Sequence, residues 1–198
     1  MSRSLITGID VGTSTIRVVV AEPRADSMGS PSFSVLGYGM GPAAGMRRGA
    51  VIDVSAAAAS IRQAVEKAAK HAGVAIEHAY VGFGGTGFGS ISAKGVVAVS
   101  RSDGEIREED VERALEAART VATPLNYDIL HVLPKSFTVD GQSGIKDPVG
   151  MTGIRLEVDA QIIQCLSSQL KNLSKCVYRT GIEIDDVVLG ILAASEAV

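Results

Sequence analysis

Long apolar runs are missing from this chain of 198 residues. The longest, Val187 to Ala194, is interrupted by Gly190. It falls far short of the roughly 20 residues that a membrane-spanning helix needs. The amino terminus, Met1-Ser2-Arg3-Ser4, runs into a segment broken by Gly8 and Asp10, so it lacks the apolar stretch of a signal peptide. A basic stripe is missing as well. With 19 Lys and Arg against 22 Asp and Glu, the net charge is −3, and no nucleic-acid partner is expected. Cysteine is scarce. Cys165 and Cys176 have no histidine at metal-ligand spacing and read as buried thiols in a reducing compartment. These absences point to a soluble, cytoplasmic chain. The 46% hydrophobic and 21% charged residues that remain are the composition of a folded core former, long enough for one large or two small domains.

The stretch that organises the chain is Leu5 to Glu22: an apolar strand, a polar turn and a second apolar strand. The turn carries Asp10, Gly12, Thr13, Ser14 and Thr15. Gly12 lets backbone approach a ligand closely, and successive N–H groups in such a turn form a concave anion site. Asp10, at the strand's exit, is placed to hold a hydrated divalent cation over phosphate oxygens. Local chemistry leaves two readings open: a phosphate-binding hairpin, or an ordinary hairpin with a polar turn.

Residues 23–32 are rich in turn formers and read as an exposed loop. Phe33 to Gly39 reads as a third strand, completing a meander. Gly41 to Gly49 reads as a loop whose Arg47 and Arg48 are solvated, with a small anion site as the alternative. Asp53 is an N-cap for a helix from Val54 whose apolar stripe runs from Ala57 through Ile61, Ala64 and Ala68 to Ala72. Gly73 ends it, and Lys67, Lys70 and His71 suit the negative end of its macrodipole. Ile76 to Phe83 reads as a strand that can pair in parallel with the first. The glycines at 82, 84 and 87 match G-x-G-x-x-G, but they open no helix, so a dinucleotide fold is rejected. They read as a crossing between domains. Beyond it come a strand over 90–99, a helix from Glu108 to about Val121, and a connection at Asn126 to Asp128. Then follow a strand over 129–140 bent at Pro134, a turn at 141–144, and an alternating strand with Ile154, Leu156, Val158 and Ala160 on one face. A helix begins at Ser167 or Ser168 and closes at Gly181. Asp185 and Asp186, read as a solvated turn rather than metal ligands, precede a buried strand over 187–190. Residues 195–198 look like the opening turn of a further helix.

This order of elements resembles the first half of an actin-superfamily core. Three segments make the resemblance specific to the FtsA family of bacterial cell-division proteins: Gly8-Ile9-Asp10-Val11-Gly12-Thr13, Gly45 to Asp53, and above all Lys146-Asp147-Pro148-Val149-Gly150-Met151-Thr152-Gly153-Ile154-Arg155-Leu156-Glu157. The resemblance implies an α/β, actin-like (ribonuclease H-like) half-core with an inserted α+β module of strand, helix, strand and strand. Residues 1–85 and 163–198 would form the discontinuous domain 1A, and residues 86–162 the interaction module, domain 1C. By position, Asp10 matches the acid that holds magnesium through water. Gly12, Thr13 and Ser14 match the phosphate-binding turn, and Arg17 the site of a phosphate-contacting lysine. The family binds ATP with Mg and assembles into filaments on the inner face of the cell membrane at the division site. It tethers the FtsZ ring there and links it to later divisome proteins, with domain 1C in self-association and partner contact.

The family's second phosphate hairpin, adenosine-binding glycines, FtsZ-docking part and C-terminal membrane-binding helix are not in this sequence, which reads as a truncated chain. Alone it is expected to bind ATP weakly or not at all. Ala193 stands where the superfamily's ATPases place a glutamate or glutamine, with Glu196 a turn further on. No catalytic residue is assigned, and at most weak ATPase activity is expected of the full-length protein. The competing readings are a pilus-assembly actin-like ATPase, which shares the Asp10 turn and a similar insert, and a small-molecule kinase. The kinase would need a general base and a two-domain cleft. The segment from Asp147 to Arg155 favours FtsA.

Overall fold

The computed structural model describes residues 5–25, 31–120 and 124–197. The expectations placed on residues 1–4 (the leader question), 26–30 (the middle of the first loop), Val121 (the helix end) and Val198 lie outside the described residues. The chain divides into two compact units, Met1–Gly87 with Ser168–Val198, and Phe88–Ser167. No helix among the described residues is long and apolar enough to cross a membrane.

The first unit is built on a five-stranded sheet of order β11-β6-β1-β2-β3. Its strands are β1 (Ile6–Val11), β2 (Thr15–Ala25), β3 (Pro31–Pro42), β6 (His78–Phe83) and β11 (Glu183–Leu189). The meander β1-β2-β3 is antiparallel, whereas β6 and β11 run parallel to β1. Alternation along β1 and β2 buries Thr7, Ile9, Val11, Ile16, Val18 and Val20 on one face, which β6 extends with Ala79, Val81 and Phe83. The meander is longer than its turn formers suggest. Pro23 and Arg24 continue β2, and Ser32 pairs with Arg24, because cross-strand pairing at a sheet edge outweighs local turn propensity.

Helix α1 (Val54–Ala72) starts where Asp53 Oδ1 accepts the N–H groups of Ser55 (2.9 Å) and Ala56 (3.0 Å). It ends at Gly73, with φ of 69°. Its alanines permit backbone contact with β3. A Cβ on Gly39 would stand 2.0 Å from the Ala64 carbonyl oxygen, and one on Gly37 would stand 2.5 Å from Ala72 N. Lys67 Nζ and His71 Nδ1 reach from α1 to the β3 carbonyl oxygens of Met40 (2.9 Å) and Tyr38 (2.8 Å). These basic residues therefore bind edge-strand carbonyls as well as sitting near the helix dipole. α3 (Ser167–Tyr178) buries Leu173, Cys176 and Val177, and the Arg62 guanidinium donates to the Arg179 carbonyl at 2.8 Å. The loop expected at 41–49 holds a small hairpin, β4 (Met46–Arg47) and β5 (Ala50–Val51). β11 already includes Asp185 and Asp186 and is half-buried, so the expected acidic turn and fully buried strand are both corrected. Asp185 accepts from, or ion-pairs with, His78 Nδ1 at 3.2 Å. The chain continues into α4 (Gly190–Ser195).

The second unit has a four-stranded antiparallel sheet, β7-β10-β8-β9, with α2 (Glu108–Arg119) packed on it. Its strands are β7 (Phe88–Ala98), β8 (Tyr127–Val139), β9 (Gln142–Ile145) and β10 (Arg155–Leu166). Tyr127 and Asp128 belong to β8 instead of a connection, since they pair with Leu166 and Cys165. A register shift opposite Pro134 marks the expected irregularity in β8. β9 adds a strand where only a turn was expected, for its Gln-Ser-Gly-Ile sequence shows no apolar alternation. Ile154 is 73% exposed and lies outside the buried stripe, because β10 starts at Arg155. The core joins Ile106, Ala114, Ala118, Phe137, Leu156, Val158 and Ile162.

The segment from Lys146 to Glu157 is a clasp. Asp147 Oδ1 accepts the Val149 N–H at 3.0 Å, and Gly150 adopts a φ of 82°. The loop then zips onto residues 104–106 through Gly150 N to Ile106 O, Ile106 N to Met151 O and Gly153 N to Gly104 O, each 2.9 Å. Asp140 holds the entry to β10 by accepting from Arg155 N at 2.9 Å.

From its place in the first turn of α2, Asp110 would be expected to serve the helix dipole. Instead it is 1% exposed and gathers the guanidinium groups of Arg101 and Arg113 and the backbone N–H of Arg107. Burial alone would raise its pKa. The bonds from Arg107, Arg113 and Arg101 outweigh burial and hold the carboxyl below its ordinary value. Asp110→Ala should destabilise the second unit by about 3 kcal/mol, read as a lowered urea midpoint, since two guanidinium groups lose their acceptor. A carboxyl whose folded pKa is depressed stabilises fully above its unfolded value and loses that contribution as pH falls through the folded one. Wild-type stability should therefore drop as pH falls below 3.8, and Asp110→Asn should flatten that drop. The thiols give a second test. Burial, with the negative field of Asp128, pushes Cys165 up to about 11, and burial raises Cys176. Neither should react with a disulfide reagent at pH 8 until the chain is unfolded; fast reaction of either in the native protein would refute its burial.

Candidate functional site

Strands β1, β6 and β11 are parallel, so their carboxyl ends, Val11, Phe83 and Leu189, lie at one edge of the sheet. In open α/β sheets that edge is where ligands bind. The turn Gly12-Thr13-Ser14 sits there, between β1 and β2. Gly12 N donates to Thr15 O at 3.1 Å, and a Cβ on Gly12 would meet that same oxygen at 2.7 Å, so the tight turn requires glycine. Ser14 O accepts from Ala43 N at 3.0 Å. Thr13 and Ser14 side chains are exposed, yet the Thr13 hydroxyl oxygen also accepts the Gly49 N–H at 2.9 Å.

Asp10 and Arg17 are directly opposed across β1 and β2, and their side chains pair at 3.0 Å. Both are about half exposed, so the pair contributes little to stability. They lie on the sheet face opposite α1, along with Gly8, Val19, Tyr80 and Gly82. A cavity of about 720 Å³ opens on this face. Asp10, Arg17, Tyr80 and Gly82 line it with Val188, Gly190, Ala193, Ala194 and Ala197. A Cβ on Gly190 would come within 3.9 Å of Asp10 Oδ1, so glycine there keeps the space beside the carboxylate open. That volume suits a drug- or nucleotide-sized ligand.

Of the five residues singled out from the sequence, Asp10 and Arg17 line the cavity, whereas Gly12, Thr13 and Ser14 do not. Those three form the turn at the rim of the same strand pair. Ala193 also lines the cavity. Sequence reasoning missed Gly82, Gly190 and Tyr80. For the two glycines the signal was small residues at the carboxyl ends of parallel strands; Tyr80, within β6, carried none. Among the described residues no cluster of three or more metal-ligating side chains occurs. A lone carboxylate fits a hydrated magnesium ion held jointly with phosphate oxygens, whereas it would not fit an all-protein cage.

The hairpin β4-β5 borders the turn. Its two-residue loop, Arg48-Gly49, has φ of 50° and 78°, both in the left-handed region. Such turns favour Asn-Gly, so an arginine here is costly. Gly49 is required: a Cβ would stand 1.9 Å from the Gly84 carbonyl oxygen.

A half-core of this topology, with a module inserted after β6 and a polar turn between β1 and β2, defines an actin-like fold. It superposes on the solved PilM-PilN type IV pilus biogenesis complex with a TM-score of 0.62 at 14% identity, covering 98% of this chain and 50% of that one; at that identity the likeness is one of fold. Residues 85–164 match the model for the SHS2 domain inserted in FtsA. Over the whole chain, identity is 43% to the cell division protein FtsA of Borreliella burgdorferi, where 47% of that relative is covered. It is 39% to FtsA of Bacillus subtilis, over 99% of this chain and 43% of that relative, and 36% to FtsA of Pseudomonas aeruginosa, over 100% and 46%. The chain belongs to the FtsA family. It spans about half the length of the curated relatives it matches.

Replacing Arg48 with glycine should leave the fold intact and raise stability by up to about 1 kcal/mol, since a left-handed residue loses its Cβ penalty. A lowered denaturation midpoint in Arg48→Gly would mean that the arginine side chain itself holds the hairpin.

Proposed function

We propose that this chain is the nucleotide-binding and interaction part of an actin-like cell-division protein. The observation that carries the reading is Asp10 at the carboxyl end of β1, facing a 720 Å³ cavity beside a glycine turn. In this reading the ligand is ATP with magnesium. Asp10 would hold the ion through water, the backbone and hydroxyls of Gly12, Thr13 and Ser14 would meet phosphate oxygens, and Arg17 would contact phosphate. A magnesium ion bound there would supply charge neutralisation for the phosphates. Asp10 is the single carboxylate among the cavity-lining residues and Ala193 offers no base, which supports slow hydrolysis at most.

The two compact units correspond, in this reading, to domain 1A and domain 1C, the latter making self-association and divisome contacts. The full-length protein then polymerises in the cytoplasm on the inner face of the membrane at the division site and tethers FtsZ there.

The test is Asp10→Ala in the full-length protein on lipid. Nucleotide-dependent polymerisation should fall about tenfold or more, with the circular dichroism spectrum and unfolding midpoint unchanged. Unchanged polymerisation would remove Asp10 from the nucleotide site.

A further inference from the structure

We propose that the β4-β5 hairpin presents a binding site for an acidic peptide segment of a partner protein. A concavity of about 480 Å³ is lined by Arg47, Arg48, Ala50, Ile52 and Thr86. No ion pair joins either guanidinium to a carboxylate among the described residues, although this chain carries 22 acidic residues. Both arginines are exposed.

Backbone geometry gives the second argument. Arg48 occupies the first position of a left-handed two-residue turn, with φ of 50°. Asparagine or glycine would sit there without strain. Strain held at such a position points to a side chain with a task.

The site is also rigid. The hairpin is fixed on three sides: Gly49 N donates to Thr13 Oγ1 at 2.9 Å, Thr86 N approaches Arg48 O at 3.4 Å, and Gly45 O accepts Ile52 N at 2.8 Å. Gly85 closes against it, with room for no Cβ, 2.7 Å from the Arg48 carbonyl oxygen. The backbone that carries both arginines is thereby fixed before a ligand arrives, which lowers the ordering cost of binding.

The apolar walls select the ligand class. Ile52 is 60% exposed, and Ala50 lies beside it. Free phosphate has no use for them. A membrane surface asks for four to eight clustered cations on an open face, and this concavity offers two. A peptide that alternates carboxylates with apolar side chains satisfies both features, with arginine forks taking the carboxylates. The proposal does not depend on nucleotide binding.

A fluorescein-labelled peptide of alternating glutamate and leucine, titrated with this chain and followed by anisotropy, tests it. Binding should weaken as salt is raised. It should fall about tenfold or more in the Arg47→Ala, Arg48→Gly double variant, whose unfolding midpoint should be no lower than that of wild type. The same peptide with glutamine for glutamate should not compete. The proposal is overturned if the glutamine peptide binds equally well, or if the double variant binds as wild type does. It is also overturned if phosphatidylglycerol vesicles, and not the peptide, are what the two arginines capture.

Discussion

Both units of this protein depend on a strand glycine that lets a helix backbone lie directly on the sheet. In the first, Gly39 faces the Ala64 carbonyl and the Ala68 N–H; a Cβ would stand 2.0 and 2.7 Å from them. In the second, Gly95 faces the Ala114 carbonyl and the Ala118 N–H; a Cβ there would stand 1.9 and 2.7 Å from them. Each is a glycine set against two alanines four residues apart. Alanine costs the helix nothing in propensity, and glycine removes the one atom that would hold the layers apart. The contact fixes helix position through backbone, where side-chain repacking cannot absorb an error.

The candidate site inherits that fixity. α1 clamps β3, and β3 pairs with β2, which carries Arg17 opposite Asp10. The loop after β3 returns through Ala43 to the Ser14 carbonyl and through Gly49 to the Thr13 hydroxyl. The polar turn is therefore a strut between the meander and the hairpin that carries the arginine pair. Asp10 and Arg17 are different in kind: exposed, mutually neutralised, and free to exchange partners without disturbing the core.

Much of this was legible in the sequence because it is periodic or punctuated. The Asp53 cap, the Gly73 stop, the stripe from Ala57 to Ala72 and the alternation through Leu156, Val158 and Ala160 are local signals, and the structure follows them. What escaped was set by non-local pairing. β9 has no apolar pattern and exists because β8 offers it an edge. Pro23 and Arg24 read as loop residues and are strand residues because β3 lies alongside. Asp110 looked like any acid in a first helical turn; its burial depends on Arg101 and Arg113 arriving from either side. The five candidate residues fall within eight positions, whereas Gly82 in β6 and Gly190 at the start of α4 are distant in sequence and line the cavity with Asp10 and Arg17 only in three dimensions.

The second unit begins at Phe88 and ends at Ser167, and Phe88 pairs directly with Cys165. Its incoming and outgoing chains are thus neighbours in one ladder, about 5 Å apart. A host fold that receives such a module is asked to open a gap no wider than one strand spacing. The module behaves as a cassette: its first and last strands close on each other, so it carries its own seam.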